Sequence, residues 1–264
     1  MDHSNSAVLS AAKVVANQFN ANVLGIMVGQ QTQMIYGRAY AVTDFFNRED
    51  AQIDQKMIDA ELLFRESFLD YLNAIEWRST ITREPVANYI VDESRAADLI
   101  ITGFSPHDFY EGPAGFNVGE IVLQSGRPIL AIPTSNEEFL LDNILIGWKD
   151  TSESRRSIVD ALPILKSAKQ VTVVEICEED EVLNATKRLK DVIVWLNHHE
   201  ISAEYLVSLS AKDDANHFLS IARQRNVNII VAGAYGHNRF REWVLGGVTN
   251  QLLQQTEFAC LLSH

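Results

Sequence analysis

The run VNIIVAG (227–233) repeats ADLIITG (97–103) at a distance of 130 positions. Both are apolar stretches of strand length that stop at a glycine. RPILAIP (127–133) stands at nearly the same distance from FACLLSH (258–264), and NANVLGIMV (20–28) matches AKQVTVVEI (168–176) at 148 positions. A repeat has to be settled first, because it fixes what one structural unit must contain. The distance falls by 18 between the early and late matches, which assigns about that many extra residues to the first copy, in GQQTQMIYGRAYAVTDFF (29–46). The copies meet at TSNEEFLL (134–141), just after Pro133, a natural linker. The expected units are residues 1–134 and 142–264.

Hydrophobic period assigns the elements of the second unit. NILIGW and VTVVEI are strands, followed by SAEYLVSL, NIIVAG and FACLL. Between them lie helical patterns. Ile158, Ala161, Leu162 and Leu165 share one face, and Leu189, Val192 and Leu196 another. DDANHFLSIARQRN starts with acidic residues, which the helix dipole favours there, and RFREWVLGGVTNQLLQQ reads as the last helix. Strands that alternate with helices predict a parallel sheet covered on both faces, and right-handed crossovers make it doubly wound. Such sheets take ligands at the carboxyl ends of strands, where the strand order reverses.

Composition narrows the function classes. The 264 residues carry a formal charge of −13, which argues against general binding to nucleic acid or anionic membrane. No run approaches the roughly 20 apolar residues of a membrane helix, and the first residues do not have the pattern of a signal peptide. Cys177 and Cys260 lie at or within strand-like runs and read as small buried residues of a reducing cytoplasm.

The chemistry-bearing stretch is GAYGHNRFREWVLGGVTNQLL (233–253). Gly233 and Gly236 allow a tight turn and a close backbone approach. Gly246, Gly247 and Thr249 fall in the first turns of the following helix, where N–H groups favour an anion. Arg239 and Arg241 stand between the glycine pairs as candidate phosphate contacts. Two readings stand side by side: an anion cradle, or a strand–turn–helix junction that needs glycine only for its shape.

The pattern Gly233-x2-Gly236-x9-Gly246, with VNIIVAGAYGH before it and GGVTNQLL after it, resembles the nucleotide loop of the universal stress protein family. GWKDTSESRRSIVDALPILKSA resembles that family's first strand and helix, so the chain is similar to a tandem universal stress protein over nearly its whole length. The resemblance implies two Rossmann-like α/β units with strand order 3-2-1-4-5. It also implies ATP or AMP as the ligand, with magnesium possible beside ATP, and a stress-response role exercised through shape or partner surface rather than turnover. Gly233, Gly236, Gly246, Gly247 and Thr249 would line the nucleotide, with Lys149 and Ile176 at the ends of the first two strands of the second unit.

The sequence departs from the family pattern at several points. Gly247 stands where the family usually has Ser or Thr, and Lys149, beside Asp150, stands where it usually has Asp. The first unit has Pro106 three residues after Gly103; proline removes an N–H donor, so any nucleotide is expected in the second unit. Gly112, Gly115 and Gly119 there shape a longer loop. These departures keep a second reading open, a nucleotide-independent scaffold acting through its pseudo-dimer surface.

Other candidates weigh less. His198 and His199 end a helix without acidic or thiol partners at ligand spacing, and His3, His107 and His237 are isolated. His107 beside Asp108 is a weak acid–base pair, because adjacent loop residues need not face one substrate. Glu178, Glu179, Asp180 and Glu181 read as a charge cluster at a helix start. Ile53, Met57, Leu62, Phe64, Phe68, Leu69 and Leu72 form an apolar set expected to pack in the core.

Two expectations concern assembly. PILAI and ACLLS, apolar edge strands, should pair the two units with each other, and a homodimer is possible. The first unit shows no counterpart of NILIGW, since MDHSNSAVLSAAK already reads as the loop and helix after that strand. The first sheet should then have four strands of its own. Either VLGIMV and DLIIT close up and pair directly, or a strand from elsewhere fills a gap; the natural protein could also start upstream.

Overall fold

The computed structural model describes residues 3–31, 42–104, 118–134, 138–234, 252, 254, 255 and 257–264. The first unit contains α1 (His3–Phe19), β1 (Val23–Gln30), α2 (Val42–Ser67), β2 (Ile75–Thr82), α3 (Val86–Glu93), β3 (Ile100–Phe104), α4 (Val118–Ser125) and β4 (Ile129–Pro133). The second contains β5 (Asn143–Gly147), α5 (Ser152–Ser167), β6 (Gln170–Cys177), α6 (Val182–His198), β7 (Ala203–Leu209), α7 (Asp214–Gln224), β8 (Ile229–Gly233) and β9 (Ala259–Ser263).

The second unit's strands run β7-β6-β5-β8-β9, all parallel, which is the order 3-2-1-4-5. The strand sequences explain why they lie inside. Alternate residues of one strand enter opposite cores. Ile144 and Ile146 join Ile229, Val231 and Leu261 on one face, while Leu145 joins Ile230, Cys260 and Leu262 on the other. The first core is covered by α5 through Ile158, Ala161 and Leu165, and by α6 through Leu189, Val192 and Leu196. The second is covered by α7 through Phe218, Leu219 and Ala222. Each fully buried aliphatic side chain contributes about 1.5–3 kcal/mol, so a strand apolar on both faces is stable only in such a sandwich.

The two units share one sheet. β4 pairs antiparallel with β9, Leu130 opposite Leu261 and Ala131 opposite Cys260, and the continuous order is β3-β4-β9-β8-β5-β6-β7. The last strands join, as their apolar edges require.

The first unit has four strands among the described residues, but they fall into two groups. β3 and β4 belong to the seven-stranded sheet, and β1 pairs in parallel with β2 alone. Direct pairing of VLGIMV with DLIIT, one of the expected alternatives, is not what the chain adopts. Two helices pack on both groups. Ala7, Ala11 and Val15 of α1 pack in the core over β4, with Leu99 and Ile101 against it, while Ala16 packs with Phe64 and Phe68 under β1 and β2. On the opposite face, Ala87 of α3 shares a core with Phe104 and Ile129, and Glu93 of α3 holds Arg78 of β2 at 2.5 Å.

The apolar set around α2 is only partly core. Phe64 and Phe68 are buried, and Ile53 and Met57 approach Gly29. Leu62, Leu69 and Leu72 are exposed, contrary to the expectation: Leu62 lies on α2, which covers a sheet of only two strands, and Leu69 and Leu72 fall past the end of α2, in the turn before β2. Both cysteines are free thiols, Cys260 buried and Cys177 half-buried. Among the described residues no helix is long and apolar enough to cross a membrane.

Candidate functional site

The strand order reverses between β5 and β8, so their carboxyl ends define the place where a ligand would sit. β5 stops at Gly147, paired with Ala232, and the Trp148 N–H continues the ladder by donating to Val174 O at 2.8 Å. The chain then turns into α5. Thr151 is the N-cap, its hydroxyl accepting from the Ser154 N–H at 3.3 Å, and the Lys149 N–H donates to Ser154 Oγ at 3.2 Å. Lys149 is exposed at this mouth; beside it, Asp150 is paired with Arg155 at 2.6 Å.

α5 brings its own anion to its N-terminus. The Glu153 carboxyl is held below the usual carboxylate range chiefly by its own backbone N–H, with the Ser152 and Thr151 hydroxyls and the charge on His264 acting in the same direction against desolvation. Helix N-termini favour such a charge.

Gly233 ends β8 with its backbone against that same turn. A Cβ there would lie 2.6 Å from the Glu153 carbonyl carbon and 2.7 Å from the Ser154 nitrogen. The missing side chain at this glycine therefore admits α5. Beyond it, the Ala234 N–H donates to Ser263 O at 2.7 Å, and His264 Nδ1 lies 3.0 Å from Ala234 O. Ser263 is buried, and its hydroxyl has no hydrogen-bond partner among the described residues.

Ile176, near the end of β6, is half-buried and packs with Leu206 against the α7-side core. The described part of the candidate site is thus Gly233, Lys149 and Ile176, brought to the carboxyl ends of three adjacent strands. Gly236, Arg239, Arg241, Gly246, Gly247 and Thr249 lie outside the described residues, as do Pro106, His107, Asp108, Gly112, Gly115 and His237. Sequence reading missed the pair Ser208 and His217, with Oγ and Nε2 2.8 Å apart, and the lodging of Glu153 in α5's first turn. Neither leaves a periodic signal: the first depends on how α7 docks on β7, and the second on the local geometry of the helix start at Thr151.

The remaining polar candidates are built into the scaffold. Glu179–Glu181 forms a short 3-10 turn ahead of α6, as its charge predicted. Glu181 lies 3.5 Å from Arg188, which also holds the buried Glu175 at 2.5 Å. His198 is exposed, and His199 lies tilted against Trp195 at 59°, with centroids 4.3 Å apart. Among the described residues no three His, Cys, Asp or Glu are grouped to hold a metal.

These elements define a tandem α/β protein with a doubly wound second unit and an open first one. The fold is that of solved universal stress proteins. A universal stress protein from Archaeoglobus fulgidus DSM 4304 superposes with a TM-score of 0.73 at 12% identity, over 98% of this chain and 94% of that one. A putative universal stress protein from Pseudomonas aeruginosa UCBPP-PA14 superposes with a TM-score of 0.56 at 12% identity, over 92% of each chain. At the level of sequence, no family model and no curated protein matches.

Proposed function

We propose that the chain is a cytoplasmic regulatory protein of the universal stress type. It binds ATP or AMP in its second unit and acts through a change of shape or partner surface rather than by turnover. The observation that supports this reading is the place of Gly233, which closes β8 beside β5 at the reversal of strand order and opens the glycine loop. In this reading the N–H groups of Gly233, Gly236, Gly246 and Gly247 face phosphate oxygens, and the Thr249 hydroxyl adds a donor. Arg239 and Arg241 offset phosphate charge, Lys149 draws the anion to the mouth, and Ile176 offers an apolar surface to the base. Magnesium bound with ATP would supply further charge neutralisation.

Calorimetry of the full chain with ATP and with AMP tests this. Gly236→Val should weaken binding at least about tenfold, equivalent to ~1.4 kcal/mol, while leaving the melting curve unchanged. Equal affinity in the variant would remove the loop from the function, and saturation confined to the first unit would refute the assignment.

A second reading, the nucleotide-independent scaffold, is favoured by one specific observation. The space in front of Gly233 is taken by α5, whose N-terminus already holds the Glu153 carboxylate. It predicts no heat with either nucleotide.

A further inference from the structure

The carboxyl end of the second unit's sheet holds an anion of its own. Glu153 lies in the first turn of α5, just after the Thr151 cap, and Gly233, where β8 ends, touches that same turn. A Cβ on Gly233 would lie 2.8 Å from Glu153 Cβ, besides 2.6 Å from its carbonyl carbon. The contact that requires glycine at 233 thus fixes the root of the carboxylate beside the first residue of the glycine loop.

Three observations set this charge apart from an ordinary helix-start one. First, it is held. Glu153 Oε1 accepts from the Ser152 hydroxyl at 2.9 Å, and the carboxyl stays below the usual carboxylate range, chiefly through its own backbone N–H. Second, it forms no ion pair with a lysine or arginine among the described residues, whereas the neighbouring Asp150 is held by Arg155 and the buried Glu175 by Arg188. Third, it lies where the strand order reverses between β5 and β8, so its charge bears on whatever is seated there.

We propose that Glu153 is the specificity-determining residue that selects a ligand by its charge. The inference rests on the nucleotide reading given above and deepens it. The seat takes a nucleotide whose phosphate charge is compensated, a cation-bound triphosphate or a nucleotide of low charge, and turns away a bare triphosphate. The cause is Coulombic. A fixed carboxylate several ångström from phosphate, at the reduced dielectric of a protein surface, weakens binding on the order of tenfold for an uncompensated charge. A cation carried by the phosphates lowers that repulsion. The loop's N–H groups attract every phosphate alike, so the discrimination falls to the repulsive element, Glu153.

Calorimetry of the full chain with adenosine, AMP and ATP, each in metal-free buffer and with magnesium, tests this. In the unaltered protein, magnesium should raise the affinity for ATP at least about tenfold and leave adenosine unchanged. Glu153→Gln keeps an acceptor for the Ser152 hydroxyl and removes the charge. It should tighten ATP at least about tenfold in metal-free buffer, tighten AMP less and leave adenosine within about twofold. Magnesium should shrink the gain for ATP. Glu153→Asp keeps the charge and should follow the unaltered protein. The inference is overturned, with the nucleotide reading intact, if ATP binds equally with and without magnesium, or if the glutamine variant gains nothing or gains as much for adenosine as for ATP. It is likewise overturned if the aspartate variant behaves as the glutamine one. If none of the three ligands binds any of the three proteins, the nucleotide reading falls and this inference falls with it.

Discussion

Gly233, singled out in the sequence as a candidate ligand residue, is required by the fold itself. Its hydrogen faces the Glu153–Ser154 peptide, and any Cβ would enter backbone at 2.6 and 2.7 Å, where neither side can yield as a flexible side chain does. Gly233→Ala should therefore destabilise the protein by about 1–3 kcal/mol, the range for overpacking a tight contact, read as a lower urea midpoint with an unchanged slope. An unchanged midpoint would mean that α5 does not approach the strand this closely. The sequence made Gly233 conspicuous through its spacing to Gly236 and Gly246, and it offered the shape reading beside the phosphate reading. The identity of the approaching element was not legible. Residues 153 and 233 are far apart in the chain, and only docking of α5 brings them together.

At the level of elements, the most readable feature was the second unit. Its strands are apolar on both faces and its helices on one, so period alone separated them. That β4 and β9 join the units was also legible, since two short apolar edge strands with no charge invite a partner, but the antiparallel sense of the joint was not. Leu261 lies at that joint, fully buried and opposite Leu130. Leu261→Ala should cost about 2–5 kcal/mol and lower the protection of β4 and β8 together. Loss confined to β8 and β9 would show that the units are joined only loosely. The sequence left open whether β1 and β3 would close up, and period could not decide it, because α1 and α3 pack on both groups. The exposure of Leu62 was likewise hidden, since helical spacing tells which residues share a face but not whether a sheet lies beneath it, and that of Leu69 and Leu72 because the periodic run continues past Ser67, where the helix ends.

For the whole molecule, the repeat produces units of unequal completeness. The second carries an unbroken order of five parallel strands, with the carboxyl ends of three adjacent ones at Gly147, Cys177 and Gly233. In the first, β1 and β3 lie in separate sheets among the described residues, and the sequence has Pro106, which offers no N–H donor, three residues after Gly103. The proposed nucleotide site therefore belongs to the second unit alone. Hydrogen exchange of the full chain with and without saturating ATP tests this asymmetry most directly. The account predicts slowed exchange at residues 147–151, 176–177 and 233–234, with no change at 28–31 and 103–104. Unchanged exchange at 233–234, or slowing confined to the first unit, would contradict it.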